Sequence, residues 1–94
     1  MSMIKSFKCR YTQSIFEGKC PKQFKAFESV AERKLQLLDS AMTIDDLKSP
    51  PGNRLEQLKG NRAGQWSIRI NDQFRLCFQF ENGEACQVEI VDYH

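Results

Sequence analysis

At 94 residues the chain is long enough for one domain and too short for two, and a chain of this size buries roughly two-thirds of its unfolded surface. With 40% hydrophobic and 28% charged residues the composition is that of a globular protein, and no apolar run approaches the ~20 residues of a membrane span. The net charge of +2 conceals an asymmetry: 48–75 carries six bases against two acids, +4, whereas 76–94 carries four acids and no Lys or Arg, −4. A basic patch for an anion and a solvated mixed surface both fit that pattern.

The start, "MSMIKSFKCRYTQ", has no apolar signal-peptide core, which leads us to expect a cytoplasmic protein. Within it "MIKSF" reads as a short first strand. Thr12 to Phe16 reads as a short helix ending near Gly18. Pro21 breaks the chain before a longer helix, whose stripe of Phe24, Phe27, Ala31, Leu35, Leu38 and Met42 is spaced 3, 4, 4, 3 and 4. Val30, Leu37 and Ala41 widen that stripe, so these residues read as core. Thr43 can cap a further turn through Leu47, and "Ser49-Pro50-Pro51-Gly52" makes a loop. Cys9, Cys20, Cys77 and Cys86 form no C-x-x-C pair and have one histidine for company, which argues against a zinc site and for reduced, packed thiols. No metal or other cofactor is expected.

The second half turns to period two. "Trp66-Ser67-Ile68-Arg69-Ile70", "Phe74-Arg75-Leu76-Cys77-Phe78-Gln79-Phe80" and "Cys86-Gln87-Val88-Glu89-Ile90" alternate, and short links around Asn71-Asp72 and Asn82-Gly83 join them into an antiparallel meander. One face would pack on the helices, giving an α+β domain of two layers. Register then decides which polar residues meet. A two-residue turn at Asn82-Gly83 would set Phe78 opposite Gln87 and mix the faces. A three-residue loop, Asn82-Gly83-Glu84, sets Phe80 against Cys86, Phe78 against Val88 and Leu76 against Ile90, and is preferred. A three-residue loop at Asn71-Asp72-Gln73 pairs Ile68 with Leu76 and Trp66 with Phe78. Arg69 then faces Arg75, normally an unfavourable pair, and Tyr93 lies diagonally from Arg75, roughly 7 Å away along the backbone.

A phosphate between two guanidiniums would relieve their repulsion. The alternative is a solvated arginine pair with Tyr93 laid over it as a cation–π lid. His94, the single histidine, with Tyr93, Asp92 and arginines suits RNA cleavage, in which the ribose 2′-hydroxyl is the nucleophile. His94 can serve as acid or base, Arg75 with Lys59 or Arg69 can stabilise developing charge, and Tyr93 can stack on a base or shuttle a proton. Asp92 can orient His94 only if the strand end bends, because strict alternation puts it on the other face.

"LEQLKGNRAGQWSIRINDQFRLCFQF", with "VEIVDYH" at the end, resembles the HigB toxins of the RelE/ParE superfamily, and the resemblance covers essentially the whole chain. Met1-Ser2 precede the usual start. The resemblance implies a compact RelE-like two-layer fold, two main helices on a small antiparallel sheet. It implies binding at the ribosomal A site and metal-independent mRNA cleavage during translation. It also implies neutralisation by a HigA-like helix-turn-helix antitoxin, through whose complex alone operator DNA is bound. It assigns catalysis to Asp92, Tyr93, His94 and Arg75; Lys59, Arg62 and Arg69 are our candidates for RNA contacts. The segment before "L-K-G" departs from the family: no second histidine is present, and Glu56 stands near its place, either as a substitute base or as a surface residue. A ribosome-binding toxin that cleaves little and a ParE-like gyrase inhibitor are the competing readings.

Overall fold

A computed structural model describes residues 3–92 of the chain; Met1, Ser2, Tyr93 and His94 lie outside the described residues. The alternating second half forms a four-stranded antiparallel sheet in the order β1 (Glu56–Gln57), β2 (Gln65–Arg69), β3 (Phe74–Glu81) and β4 (Glu84–Asp92). Two helices, α1 (Arg10–Phe16) and α2 (Glu28–Ser40), supply the second layer. Ile15, Ala31, Leu35 and Leu38 from the helices meet Ile68, Leu76, Phe78, Ala85, Val88 and Ile90 from the sheet, and Ile70 just after β2, in one buried cluster.

The expected long helix is broken. Lys22–Phe27 is a 3₁₀ turn, and α2 starts at Glu28. At three residues per 3₁₀ turn, Phe24 and Phe27 project on one side. There they surround Phe74, with ring centroids 6.1 and 4.7 Å away. This aromatic cluster outweighs the helical spacing that continues into α2. At the other end α2 stops at Ser40, so Ala41 is extended and Met42, expected in the stripe, is 70% exposed. The competing element is the turn that follows. Asp46 accepts hydrogen bonds from the Met42 and Thr43 amides, at 2.9 and 3.1 Å, completing a capping box at Thr43. Those two amides hold the Asp46 carboxyl below the usual carboxylate range.

The hairpin register combines the two alternatives. Asn82 and Gly83 both have positive φ (53° and 77°), as a two-residue type I′ turn requires, and Glu81 pairs with Glu84. Phe80 therefore faces Ala85, and Gln79 faces Cys86, against the expected Phe80–Cys86 pairing. A bulge then adds one residue: Gln87 takes φ 55°, and beyond it Leu76 faces Ile90 and Arg75 faces Val91, as the three-residue loop predicted. The turn follows the local preference of Asn-Gly. One bulged residue then returns Val88 and Ile90 to the apolar face that Ala85 already occupies.

The same bulge explains the first segment. Residues 3–8 do not form a continuous strand. They run parallel to β4 through isolated bridges, Ile4 to Ala85 and Phe7 to Val88, while the Ser6 hydroxyl accepts from the displaced Gln87 amide at 2.9 Å. Asp39 of α2 fixes the segment by accepting from the Met3 and Ile4 amides. Further along β4, the buried Thr12 hydroxyl of α1 accepts from the Ile90 amide at 2.9 Å, so a side chain covers the outer edge where the backbone no longer does.

Candidate functional site

The sheet face turned away from the helices carries the polar residues of the meander: Glu56 from β1, Ser67 and Arg69 from β2, Arg75 and Cys77 from β3, Glu89 from β4. The three-residue loop Asn71-Asp72-Gln73 forms as expected. The Asn71 side-chain oxygen accepts from the Gln73 and Phe74 amides at 2.9 and 2.8 Å, and Ile70 bonds back to Phe74. That loop sets the register, and Arg69 stands directly opposite Arg75.

The structure also resolves the repulsion between these arginines. The Arg69 guanidinium turns outward to Asp72. Arg75, whose side chain is 11% exposed, donates from Nε to the Ser67 hydroxyl at 2.8 Å and from Nη2 to the Arg54 carbonyl at 2.6 Å, with Glu56 at 3.9 Å from Nη1. A buried serine one strand over and a backbone carbonyl 21 residues away thus fix its fork. A cleft of about 260 Å³ opens beside it, lined by Arg54, Glu56, Arg69, Asn71, Asp72 and Arg75. Among the described residues three guanidiniums line it with two carboxylates, so this part of the cleft favours an anion, and a planar fork held at fixed angle suits phosphate oxygens.

Not every predicted residue joins the cleft. Arg62 lies over the same face but bonds Glu89 at 3.2 Å and Gln65 at 3.1 Å; Lys8 approaches Glu89 from the other side at 3.6 Å. Lys59 is exposed just ahead of the 3₁₀ turn Gly60–Arg62 and does not line the cleft. The +4 stretch is consequently no open basic patch. Lys48 pairs with Asp45, Arg62 with Glu89, Arg69 with Asp72 and Arg75 with Glu56. Asp92 pairs across the strands with Phe74 and accepts from Gln73 Nε2 at 3.0 Å, on the opposite face from Arg75 as strict alternation requires. Tyr93 and His94 lie outside the described residues.

One cleft residue, Arg54, was not singled out from the sequence, and Glu56 was named there only as a substitute base or a surface residue. Arg54 appeared there only as one of six bases in the stretch, and β1, two residues long, has too few alternations to register as a strand. Glu56 enters the cleft because β1 pairs it with Ser67, beside Arg75.

Behind the cleft, Asn53 and Lys34 are buried. The Lys34 ammonium donates to the Asn53 side-chain oxygen, while the Asn53 amide donates to the Leu47 and Ser49 carbonyls at 3.1 and 3.3 Å. Burial, with Arg33 and Arg69 nearby, lowers the Lys34 pKa. Beneath the arginines, burial raises the Cys77 thiol, against the pull of Arg62 and Arg75. Among the described residues no three His, Cys, Asp or Glu side chains gather as a metal site, and no helix is long and apolar enough to cross a membrane.

Two helices on one face of a four-stranded antiparallel sheet, with an arginine cleft on the other, define a RelE-like fold. YoeB in the YoeB-YefM complex from Staphylococcus aureus superposes with a TM-score of 0.58 over 100% of this chain and 98% of that one, at 18% identity. The family is closer at hand in the sequence: residues 5–94 match the HigB-like toxins, RelE-like toxins of type II toxin–antitoxin systems, and the chain belongs to that family. It is 37% identical to Endoribonuclease HigB of Proteus vulgaris over 94 residues, covering 98% of this chain and all of that one. It is 50% identical to Toxin HigB-1 of Vibrio cholerae over 60 residues, a match spanning 64% of this chain and 63% of the relative.

Proposed function

We propose that this toxin is an mRNA endoribonuclease that acts on the translating ribosome, cutting by attack of a ribose 2′-hydroxyl on the adjacent phosphorus. The observation that carries this reading is the locked guanidinium of Arg75, held by Ser67 and the Arg54 carbonyl at the wall of an anion-favouring cleft. A donor fixed before the substrate arrives need not reorganise as charge builds on the phosphorane oxygens.

The Glu56 carboxylate, 3.9 Å from Arg75 in the same cleft, takes the 2′-proton as that oxygen bonds to phosphorus. The bond to the 5′-oxygen breaks, and His94 as imidazolium protonates the departing oxygen, leaving a 2′,3′-cyclic phosphate and a 5′-hydroxyl. Tyr93 stacks on a base next to the cut. Asp92, held by Gln73, steadies the strand end that precedes these two residues. Arg69 contacts the phosphate, while Lys59 and Arg62 contact RNA further along its backbone. A HigA-like helix-turn-helix antitoxin neutralises the toxin, and only their complex binds operator DNA. Membership of a type II toxin family supports the antitoxin partner.

The test is primer extension on mRNA translated in a reconstituted system, with the wild type, a variant lacking His94, and Glu56→Gln. Cuts within codons that vanish without His94 and weaken strongly in Glu56→Gln are expected. Arrested translation without new 5′ ends would overturn the reading in favour of a toxin that occupies the ribosome.

A further inference from the structure

We infer that Arg54 is a third phosphate-binding guanidinium of this cleft, held in position from behind by the buried Lys34–Asn53 pair. Three features point to it. First, its backbone is left-handed, with φ 46° and ψ 55°. That region is uncommon for a side chain other than Gly, Asn or Asp and is retained where surrounding structure enforces it, often at functional sites. The enforcement is visible here. The Arg54 amide bonds the Pro51 carbonyl at 3.1 Å, its own carbonyl accepts from Arg75, and its neighbour Asn53 is pinned by Lys34, Leu47 and Ser49.

Second, Arg54 lines the cleft, yet no carboxylate lies within ion-pair distance of its guanidinium among the described residues. Arg69 has Asp72 and Arg75 has Glu56; among the described lining residues Arg54 adds a third positive group to two negative ones. Third, the residue meets the site in two ways, by its carbonyl on Arg75 and by its place in the lining. Its backbone strain thereby orients the catalytic arginine, and its side chain adds a binding group beside it. The ligand chemistry is a phosphodiester oxygen, read without regard to the base attached. The inference rests on the proposal that the cleft receives RNA.

Arg54→Gly separates the two roles, because glycine keeps the left-handed backbone and the carbonyl while removing the guanidinium. The probe is a short single-stranded 2′-O-methyl RNA, which cannot be cleaved, titrated by fluorescence anisotropy over a range of salt. Loss of one phosphate contact should weaken binding about five- to twentyfold for A-rich and U-rich probes alike, and lower the slope of log K against log salt by about 0.7. Arg54→Lys should restore the slope but only part of the affinity. Thermal denaturation of Arg54→Gly should match or exceed the wild type. Wild-type slope and affinity in Arg54→Gly, with binding lost in Arg75→Gln, would overturn this inference and leave the cleft as the RNA site. No binding by the wild-type protein would overturn both.

Discussion

Replacing Asn53 by alanine removes a side chain that ties α2 to the loop carrying Arg54. Asn53 is fully buried and makes three hydrogen bonds: two donated to carbonyls, at 3.1 and 3.3 Å, and one accepted from the Lys34 ammonium. The two donated bonds contribute about 0.5–1.5 kcal/mol each, and leaving a buried ammonium without its acceptor costs about 1.5–3 kcal/mol. Asn53→Ala should therefore lose about 2.5–6 kcal/mol, a large share of the 5–15 kcal/mol typical of a domain. Chemical denaturation measures it, and in a domain of this length each kcal/mol lowers Tm by about 4–8 °C. Asn53→Asp keeps an acceptor for Lys34 but faces two carbonyls with a carboxylate, and should destabilise as well. Lys34→Met made together with Asn53→Ala should cost less than the sum of the single changes, by at least about 1 kcal/mol, because the double variant leaves no charge stranded. Lys34 adds a pH signature. Its folded-state pKa lies below the ordinary 10.5, so between that lowered value and 10.5 the unfolded chain binds more protons and stability rises with pH. Lys34→Met should lack that rise. A loss below about 1 kcal/mol in Asn53→Ala, or additivity with Lys34→Met, would refute the account of this clamp.

Other consequences follow from the same face of the sheet. Ser67→Ala removes the acceptor that orients Arg75 Nε, and should lower kcat/KM for RNA cleavage about tenfold and stability by about 1–3 kcal/mol; unchanged kinetics would show that the Arg54 carbonyl suffices. Gln87 holds the bulge at φ 55°, so Gln87→Val should cost about 1–2 kcal/mol and Gln87→Gly almost nothing, as read by denaturant midpoints. Cys77 is fully buried and its thiol is raised by burial, so a disulfide reagent should label it only on unfolding, while Cys9 and Cys86, both partly exposed, react in the native protein. Mass spectrometry of the labelled peptides tests this, and native labelling of Cys77 would contradict the packing beneath Arg62 and Arg75.

The sequence by itself determined the meander and the meeting of Arg69 with Arg75. Alternation has period two and the Asn71-Asp72-Gln73 link has a definite length, so local pattern and loop size together set that register. It determined the α2 core in the same way, through Ala31, Leu35 and Leu38 at helical spacing. Tertiary structure decided the rest. Phe74 drew Phe24 and Phe27 into a 3₁₀ turn that their spacing within a helical stripe concealed. The Asn82-Gly83 turn and the Gln87 bulge each shift register by one residue, and only their combination satisfies both the turn and the core. Arg54, Glu56 and Arg75 form one cleft because a two-residue strand and a left-handed backbone bring a carbonyl to a guanidinium 21 residues away. Periodicity records which way a side chain faces along its own strand; which distant backbone atom it meets there is set by the packing of the whole chain.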